Sequence, residues 1–581
     1  MQARYVILIA KATLDLDAEI AVTVKRTGLV VVSRGDRFAI LVNDTQHVIP
    51  CADDAGAILG AVYSRSSPPR RIRSLQGSAL ERVRKGGFAS LLTDYWGPYV
   101  ALRQCDNAIR ILRDPSGGLP CYYADDDRRT LVTSDIDLLF QATGLHPRID
   151  WSFLTWHLWS SLLRSSQTAF VGIKELPVGH ELEVGGETTS VTARWSPWDF
   201  ASDELDLSDR DLAALLGETV RDCVQALASG YDHIALGVSG GLDSSIVAAC
   251  INGRVPLTCF TMVTNDPDGD ERRHAAELTR ALGLPLRVWA YDEQPANLEE
   301  SMARHLPRPV GRPHTRPMYA HVDELARYTG VDALFTGNGG DNVFCLMRSA
   351  SPVADRLTRE GVGIGTLKTF LDACRLTDST FWHIARESGR GLARGTAPYS
   401  WRPEPQYLHL PADRNLLHLW LDRPLHVLFG KAVHVARILQ IQHSAEGTDR
   451  RSQIPLVTPL LSQPIVELCL RIQTWRWIRD GRERAVVRTA FSDDLPAAIL
   501  NRQSKGGPDG YIFELYETHQ AWLHDWFAKG LLAQHGVVDL DAILAALGRS
   551  TMLKGTGYIR LLELADAEAW ARYWTSRSYG F

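Results

Sequence analysis

Gly237-Val238-Ser239-Gly240-Gly241-Leu242-Asp243-Ser244-Ser245 joins two stretches of different character. Before it, His233 to Val238 is short and apolar, as a buried strand is. After it, Ser244 to Ile251 continues as a helix. Consecutive small residues let a backbone pass close to a ligand. Their N–H groups can converge on an anion, and a helix starting near Ser244 adds the positive end of its dipole. The hydroxyls of Ser239, Ser244 and Ser245 are further donors. Two other readings fit the same residues. A glycine-rich turn whose serines cap a helix needs no ligand. Gly237-x-Ser239-x-Gly241 also fits the nucleophile elbow of a serine hydrolase, with Ser239 attacking. There is no Walker A motif, because Gly430-Lys431 is followed by Ala432.

Outward from this loop, strands and helices alternate. Leu257 to Val263, Leu286 to Tyr291 and Ala333 to Thr336 read as strands. Asp270 to Leu282 and His321 to Thr329 read as helices. That alternation predicts an α/β domain with a parallel sheet covered on both faces. The chain after residue 360 reads as largely helical. The first 200 residues differ. Tyr5 to Ala10, Gly28 to Ser33, Phe38 to Val42, Tyr99 to Arg103 and Ala108 to Leu112 are short β-type runs separated by turns, which predicts a mainly antiparallel layer. Between the two regions, Trp195 to Leu207 passes from aromatics into an acidic stretch and then a helical period over Leu212 to Leu227. The expected division is 1–200 and 208–581.

At 581 residues the chain is too long for one core, and 45% apolar with 23% charged residues is ordinary for a globular protein. A net charge of −5 disfavours nucleic acid as a partner. No run approaches the roughly 18 apolar residues of a membrane helix. Tyr5 to Ala10 is too short for a signal-peptide core, so a cytoplasmic protein with no membrane partner is expected. The nine cysteines form no CxxC pair and are expected to be free thiols.

The longer loop match, Ser239-Gly240-Gly241-Leu242-Asp243-Ser244-Ser245, resembles the pyrophosphatase loop of the asparagine synthetase family. A hydrolase elbow has no use for Asp243, whereas a carboxylate is a hard ligand for magnesium on pyrophosphate. Leu334-Phe335-Thr336-Gly337-Asn338-Gly339-Gly340-Asp341-Asn342 resembles a second loop of the family, with Asp341 as the other magnesium ligand. A capped glycine-rich turn is its ligand-free alternative. The resemblance places Thr261 and Met262 near adenine and Asp270-Glu271 just beyond, although capping explains that acidic pair equally well. Arg502-Gln503-Ser504-Lys505-Gly506-Gly507 resembles the lysine loop, in which Lys505 would stabilise charge on the α-phosphate. Gly481-Arg482-Glu483-Arg484 and Arg488 resemble a basic helix that meets pyrophosphate, Arg484 among its contacts. Implied, then, are ATP and Mg2+, with Asp243, Asp341 and Lys505 catalytic. ATP would also lie against Gly237, Val238, Ser239, Gly240, Gly241, Leu242, Ser244, Ser245 and Gly337. The implied folds are a glutaminase-like (Ntn-type) α+β domain and an adenine nucleotide α-hydrolase-like (PP-loop ATP pyrophosphatase) domain with a helical C-terminal part.

Arg113-Asp114-Pro115-Ser116-Gly117, Pro120-Cys121-Tyr122-Tyr123 and Phe170 to His180 resemble the family's glutamine amidotransferase domain. Gln2 stands where that domain exposes its cysteine, and no Asn-Gly-Glu stretch appears near 40 to 80, so glutamine hydrolysis is expected to be lost. Asn338 stands where asparagine synthetase has Glu and β-lactam synthetase has Tyr, and an amide is a poor base. His314 is the candidate base. Together with Tyr95-Trp96-Gly97-Pro98-Tyr99, these departures resemble the macrolactam cyclases of lasso peptide biosynthesis. The resemblance implies a lasso precursor peptide as substrate, with a leader peptidase and a leader-recognition protein as partners. An Asp or Glu side chain of the peptide would be adenylated and attacked by the peptide's own amine. A β-lactam synthetase-like or asparagine synthetase-like amide ligase is the alternative within the class. A hydrolase using Ser239, or a binding protein without turnover, lies outside it.

Overall fold

The structure is a computed structural model. It describes residues 2–11, 14–50, 56–75, 81–83, 87–105, 108–161, 163–185, 188–291, 297–393, 399–443, 445, 449–452, 454–503, 506–548 and 556–577. The β-type runs of the first part form two six-stranded antiparallel sheets. One runs in the order Ile173–Glu175, Tyr122–Asp125, Arg129–Thr133, Tyr5–Ala10, Phe38–Val42, Val30–Arg34. The other runs Thr189–Ala193, His180–Val184, Ala108–Arg113, Tyr99–Cys105, Gly56–Gly60, Val48–Pro50. Alternate side chains point to opposite faces. Ile7, Ile9 and Ile40 meet Leu102, Ile111 and Leu182 between the sheets. Val6, Leu41 and Leu131 face outward, under Leu138 and Ala142 of the helix Ile136–Thr143.

The second part carries a five-stranded parallel sheet in the order Leu286–Ala290, Leu257–Val263, Ile234–Gly237, Ala333–Phe335, Leu456–Val457. Ile234 and Leu236 pack with Leu212, Val220, Ile246 and Leu278, so the helices Asp209–Ala228, Leu242–Ile251 and Arg272–Leu282 cover one face. Ala235, Phe260 and Leu334 pack with Val322 and Leu325 of Arg316–Thr329 on the other. Strand order reverses between Ile234–Gly237 and Ala333–Phe335. Such a switch point opens a crevice at the carboxyl ends of the strands, where ligands bind. Both glycine-rich loops leave from it.

The two parts pack together. Arg65 pairs with Glu467 at 2.6 Å, and the Trp195 indole donates to the same carboxylate at 2.9 Å. Fully buried Glu175 receives Arg113 at 2.6 Å, and also Arg164 and Arg308. Burial alone would raise the Glu175 pKa, but the three guanidinium groups hold it well below the usual carboxylate range. Eight described cysteines are free thiols. No described helix is long and apolar enough to cross a membrane.

Candidate active site

The first glycine-rich loop turns at Gly240, whose φ of +65° favours glycine. A Cβ there would lie 2.4 Å from His274 Cβ, so the loop runs tight against the helix Arg272–Leu282. Gly241 begins the helix Leu242–Ile251 with no side-chain cap, which leaves its first-turn amides facing the loop. Val238 N donates to Phe260 O at 2.7 Å, so Thr261 and Met262 lie just past the level at which the loop starts. Thr261 is buried and Met262 half-buried. The serines act partly within the loop. Ser239 Oγ accepts from Gly241 N at 3.2 Å, and Ser245, buried, donates to Gly241 O at 2.7 Å. Ser239 lacks the positive φ of a strained elbow, and among the described residues its hydroxyl bonds no histidine.

The second loop presses on the first. A Cβ on Gly337 would meet Ser244 N at 2.5 Å, and one on Gly340 would meet Asp243 Cγ at 2.3 Å. Only glycines let Asp341 approach Asp243 this closely. Between the two carboxylates lies Arg484. Its Nη1 donates to Asp243 Oδ1 at 3.0 Å and to Asp341 Oδ1 at 2.5 Å. Burial opposes the Arg484 charge, but Asp243, Asp341 and Glu483 outweigh it and raise its pKa. Glu483 also takes Arg488 at 2.7 Å. The expected basic helix needs correction. Arg479 and Arg482 pair across a turn, and Arg484 takes a left-handed φ of 57° as the cap. The helix itself starts only at Ala485, so just Arg488 lies within it.

The lysine loop reaches the same place through its flanks. Arg502 Nη1 donates to Ser239 O at 2.6 Å and Arg502 Nη2 to Glu271 Oε1 at 2.5 Å, while Gly506 N donates to Glu271 Oε1 at 2.8 Å. Ser504 and Lys505 lie outside the described residues. The acidic pair splits its roles. Asp270 accepts from Arg272 N at 3.0 Å, a local turn, whereas Glu271 anchors the lysine loop. Capping was the alternative for Glu271, but it makes no side-chain cap bond and its buried carboxylate takes Arg502 and Gly506 instead, a long-range partnership with no local sequence signal. His314 sits in the turn Pro313–Thr315, packed on the C-terminal helices, and burial with Arg312 lowers its pKa to about 4.

Magnesium suits the donor set. The described residues hold no group of three or more His, Cys, Asp or Glu placed for a metal. Two carboxylates converging on one cationic nitrogen are nonetheless what magnesium takes when phosphate and water complete its shell. Asp243 and Asp341 would hold it, and it would supply charge neutralisation on pyrophosphate.

In the N-terminal part, Gln2 Nε2 donates to Asp449 O at 3.2 Å. Gln2 lines a cavity of about 380 Å³ between the two parts, which reaches Val457, Thr458 and Leu461. These residues back the second loop. Thr336 N donates to Val457 O at 3.1 Å, and a Cβ on Gly339 would meet Leu461 Cδ2 at 2.6 Å.

Paired glycine-rich loops at a switch point, with converging carboxylates and cations, are placed where ligands bind in open parallel sheets. Comparison with known proteins gives the rest: residues 212–572 match asparagine synthase, and the chain belongs to that family. It is an ATP-dependent, amide-forming carbon–nitrogen ligase. Residues 83–196 match the glutamine amidotransferase domain. No curated protein matches the chain. Among solved structures, the NMN synthetase from Francisella tularensis is 16% identical with a TM-score of 0.17. It covers 24% of this chain, and this chain spans 60% of its length. The allosteric regulatory enzyme of purine biosynthesis is 10% identical, covering 57% of this chain and 89% of its own, with a TM-score of 0.22. The glutamine phosphoribosylpyrophosphate amidotransferase from B. subtilis is 9% identical, covering 57% and 90%, also at 0.22.

Proposed function

We propose that the chain closes a macrolactam within a precursor peptide, as lasso peptide cyclases do. The observation that carries this is a synthetase site with Arg484 gathering Asp243 and Asp341, on a chain whose residue 2 is Gln. A ligase without a nucleophile for glutamine needs an amine from its substrate. In the first step a side-chain carboxylate oxygen of the peptide attacks the α-phosphorus of ATP. The bond to the β-phosphate oxygen breaks and pyrophosphate leaves. In the second, the peptide's α-amine attacks the acyl carbon, the proton is lost and AMP leaves. The net result is a peptide one water lighter. Holding both groups in one bound chain replaces free ammonia with effective molarity.

In this reading the amides of Ser239 to Leu242 and the hydroxyl of Ser244 cradle phosphate. Thr261 and Met262 lie beside adenine, and Gly337 keeps the loops close. Asp243 and Asp341 would hold magnesium, which would neutralise charge on pyrophosphate, with Arg484 as the cation beside them and Lys505 neutralising the α-phosphate. A leader peptidase and a leader-recognition protein would supply a peptide with a free amine. The test is mass spectrometry of a core peptide incubated with the protein, ATP and magnesium. The expected product is dehydrated and gives no fragments from within its ring. It should vanish when the ring Asp or Glu is replaced by its amide. A linear amidated peptide, or a product that needs ammonia, would overturn the proposal.

A further inference from the structure

The strand that backs the second loop has little of its own to hold it. Leu456–Val457 lies at the edge of its sheet, pairs only with Leu334 and Phe335, and has both residues half-buried. Two residues do not fix a register by themselves, because a slip of one exchanges the faces of the strand. Pro455, Leu456 and Val457 also line the 380 Å³ cavity between the two parts. On that side the strand has no packed neighbour, and an empty space gives no contact energy.

Support comes instead from the turn just before the strand. Ser452 N donates to Asp449 O at 2.8 Å and Ile454 N to Ser452 Oγ at 3.3 Å, and Ile454 is buried with Val331 and Leu334. Three contacts pin this turn to the first part. Arg451 Nη1 reaches Asp137 Oδ2 at 2.8 Å, Arg450 Nε donates to Ala3 O at 2.9 Å, and Gln2 Nε2 donates to Asp449 O at 3.2 Å. Asp137 is buried in the first turn of the helix Ile136–Thr143 and also takes Arg577 at 3.1 Å. Arg451 is held in place by both oxygens of Asp449. From the strand the path runs on without a break. Val457 O accepts from Thr336 N at 3.1 Å, Leu461 lies against Gly339, and Gly340 against Asp243. We infer that Asp137 and Arg451 are positioning residues that anchor the second loop, and with it Asp341, to the first part of the chain. A part with Gln at residue 2 thus still serves the ligase site, as the wall against which the edge strand is registered. The inference rests on the placing of Asp341 in the nucleotide site, and not on the identity of the acceptor.

The test uses the full chain and needs no acceptor. Hydrogen exchange read by mass spectrometry follows the loop, and a fluorescent ATP analogue with magnesium follows the site. Arg451→Gln leaves buried Asp137 with Arg577 alone. Exchange then speeds up over residues 334–344 and 454–461 and stays as in the parent over 257–263. Magnesium-dependent binding of the analogue weakens about tenfold, the scale on which residues along a coupled network act. Arg451→Lys keeps the charge and restores most of both. Trp156→Phe removes another bond between the parts, from Trp156 Nε1 to Asn415 O at 3.0 Å, and alters neither. Should Arg451→Gln not fold, Gln2→Ala loses the bond to Asp449 O, leaves the ion pairs, and speeds exchange over 454–461. Loop exchange matching the parent in the variant tested overturns the proposal, as does an equal loss of binding in Trp156→Phe. Faster loop exchange with unaltered nucleotide binding supports the anchoring and overturns the placing of Asp341 in the nucleotide site.

Discussion

Gly340→Ala isolates the packing of the two loops from their chemistry. Gly340 is not in the left-handed region, so its backbone accepts alanine. What resists is Asp243. The added methyl would lie 2.3 Å from Asp243 Cγ, 2.6 Å from its Cβ and 2.7 Å from Oδ1, where ordinary contact begins at 3.4 Å. The carboxylate must retreat by about 1 Å, and a displacement of that size in a positioned group costs about 10²-fold in rate. That is about 2.7 kcal/mol of transition-state stabilisation. Global stability falls by about 1–3 kcal/mol, as for other overpacked sites, so the protein remains folded. The control is Gly389→Ala, a helical position with open space around its Cβ, which leaves turnover unaltered. The assay measures AMP formed with the acceptor peptide, alongside the affinity for a fluorescent ATP analogue with magnesium. Turnover of Gly340→Ala within about threefold of the parent would refute the claim that the two loops form one magnesium–pyrophosphate site.

Asp243→Asn and Asp341→Asn keep shape but remove charge, and each lowers AMP formation by about 10²–10³-fold, as does Lys505→Met with ATP binding retained. Near-normal turnover in all three would place the chemistry elsewhere. Glutamine incubated with the protein yields no glutamate above background, because Gln2 cannot act as the nucleophile; a protein-dependent release counts against that. Burial lowers the pKa of His157, His434 and His443 to about 3 and of His314 and His418 to about 4. These must charge on unfolding, so their contribution is present above about pH 6.5 and is lost as pH falls through their folded values. Asp114, Asp355 and Asp566, raised to about 6 by burial, act the opposite way below that pH but are fewer. Unfolding temperature therefore drops between about pH 6.5 and 4, and a rise on acidification would contradict this.

Long, strongly patterned elements were legible. Leu257–Val263 and Tyr5–Ala10 form strands over the spans their apolar runs define. The two-residue strand Leu456–Val457 was not, because a pair of apolar residues has no period, and its partner Leu334 lies far back in the chain. The glycine-rich turn between Ile234–Gly237 and Leu242–Ile251 could be read from local composition, because small residues there separate an apolar strand from a helix. The Arg484 bridge could not. It depends on a left-handed backbone at a non-glycine residue, which a row of arginines gives no hint of. Ser245 shows the reverse: its hydroxyl fits a phosphate donor in sequence, yet in the fold it bonds its own helix's Gly241 carbonyl.

In the proposed reaction, adenylation of a peptide carboxylate is followed by attack of the same peptide's amine. The most direct measurement pairs the nucleotide products with the peptide mass in one reaction of protein, ATP, magnesium and a core peptide with a free α-amine. AMP and pyrophosphate should form in step with a peptide one water lighter, and neither with a leader-extended precursor. ADP and phosphate as products, or a mass loss without ATP, would contradict it.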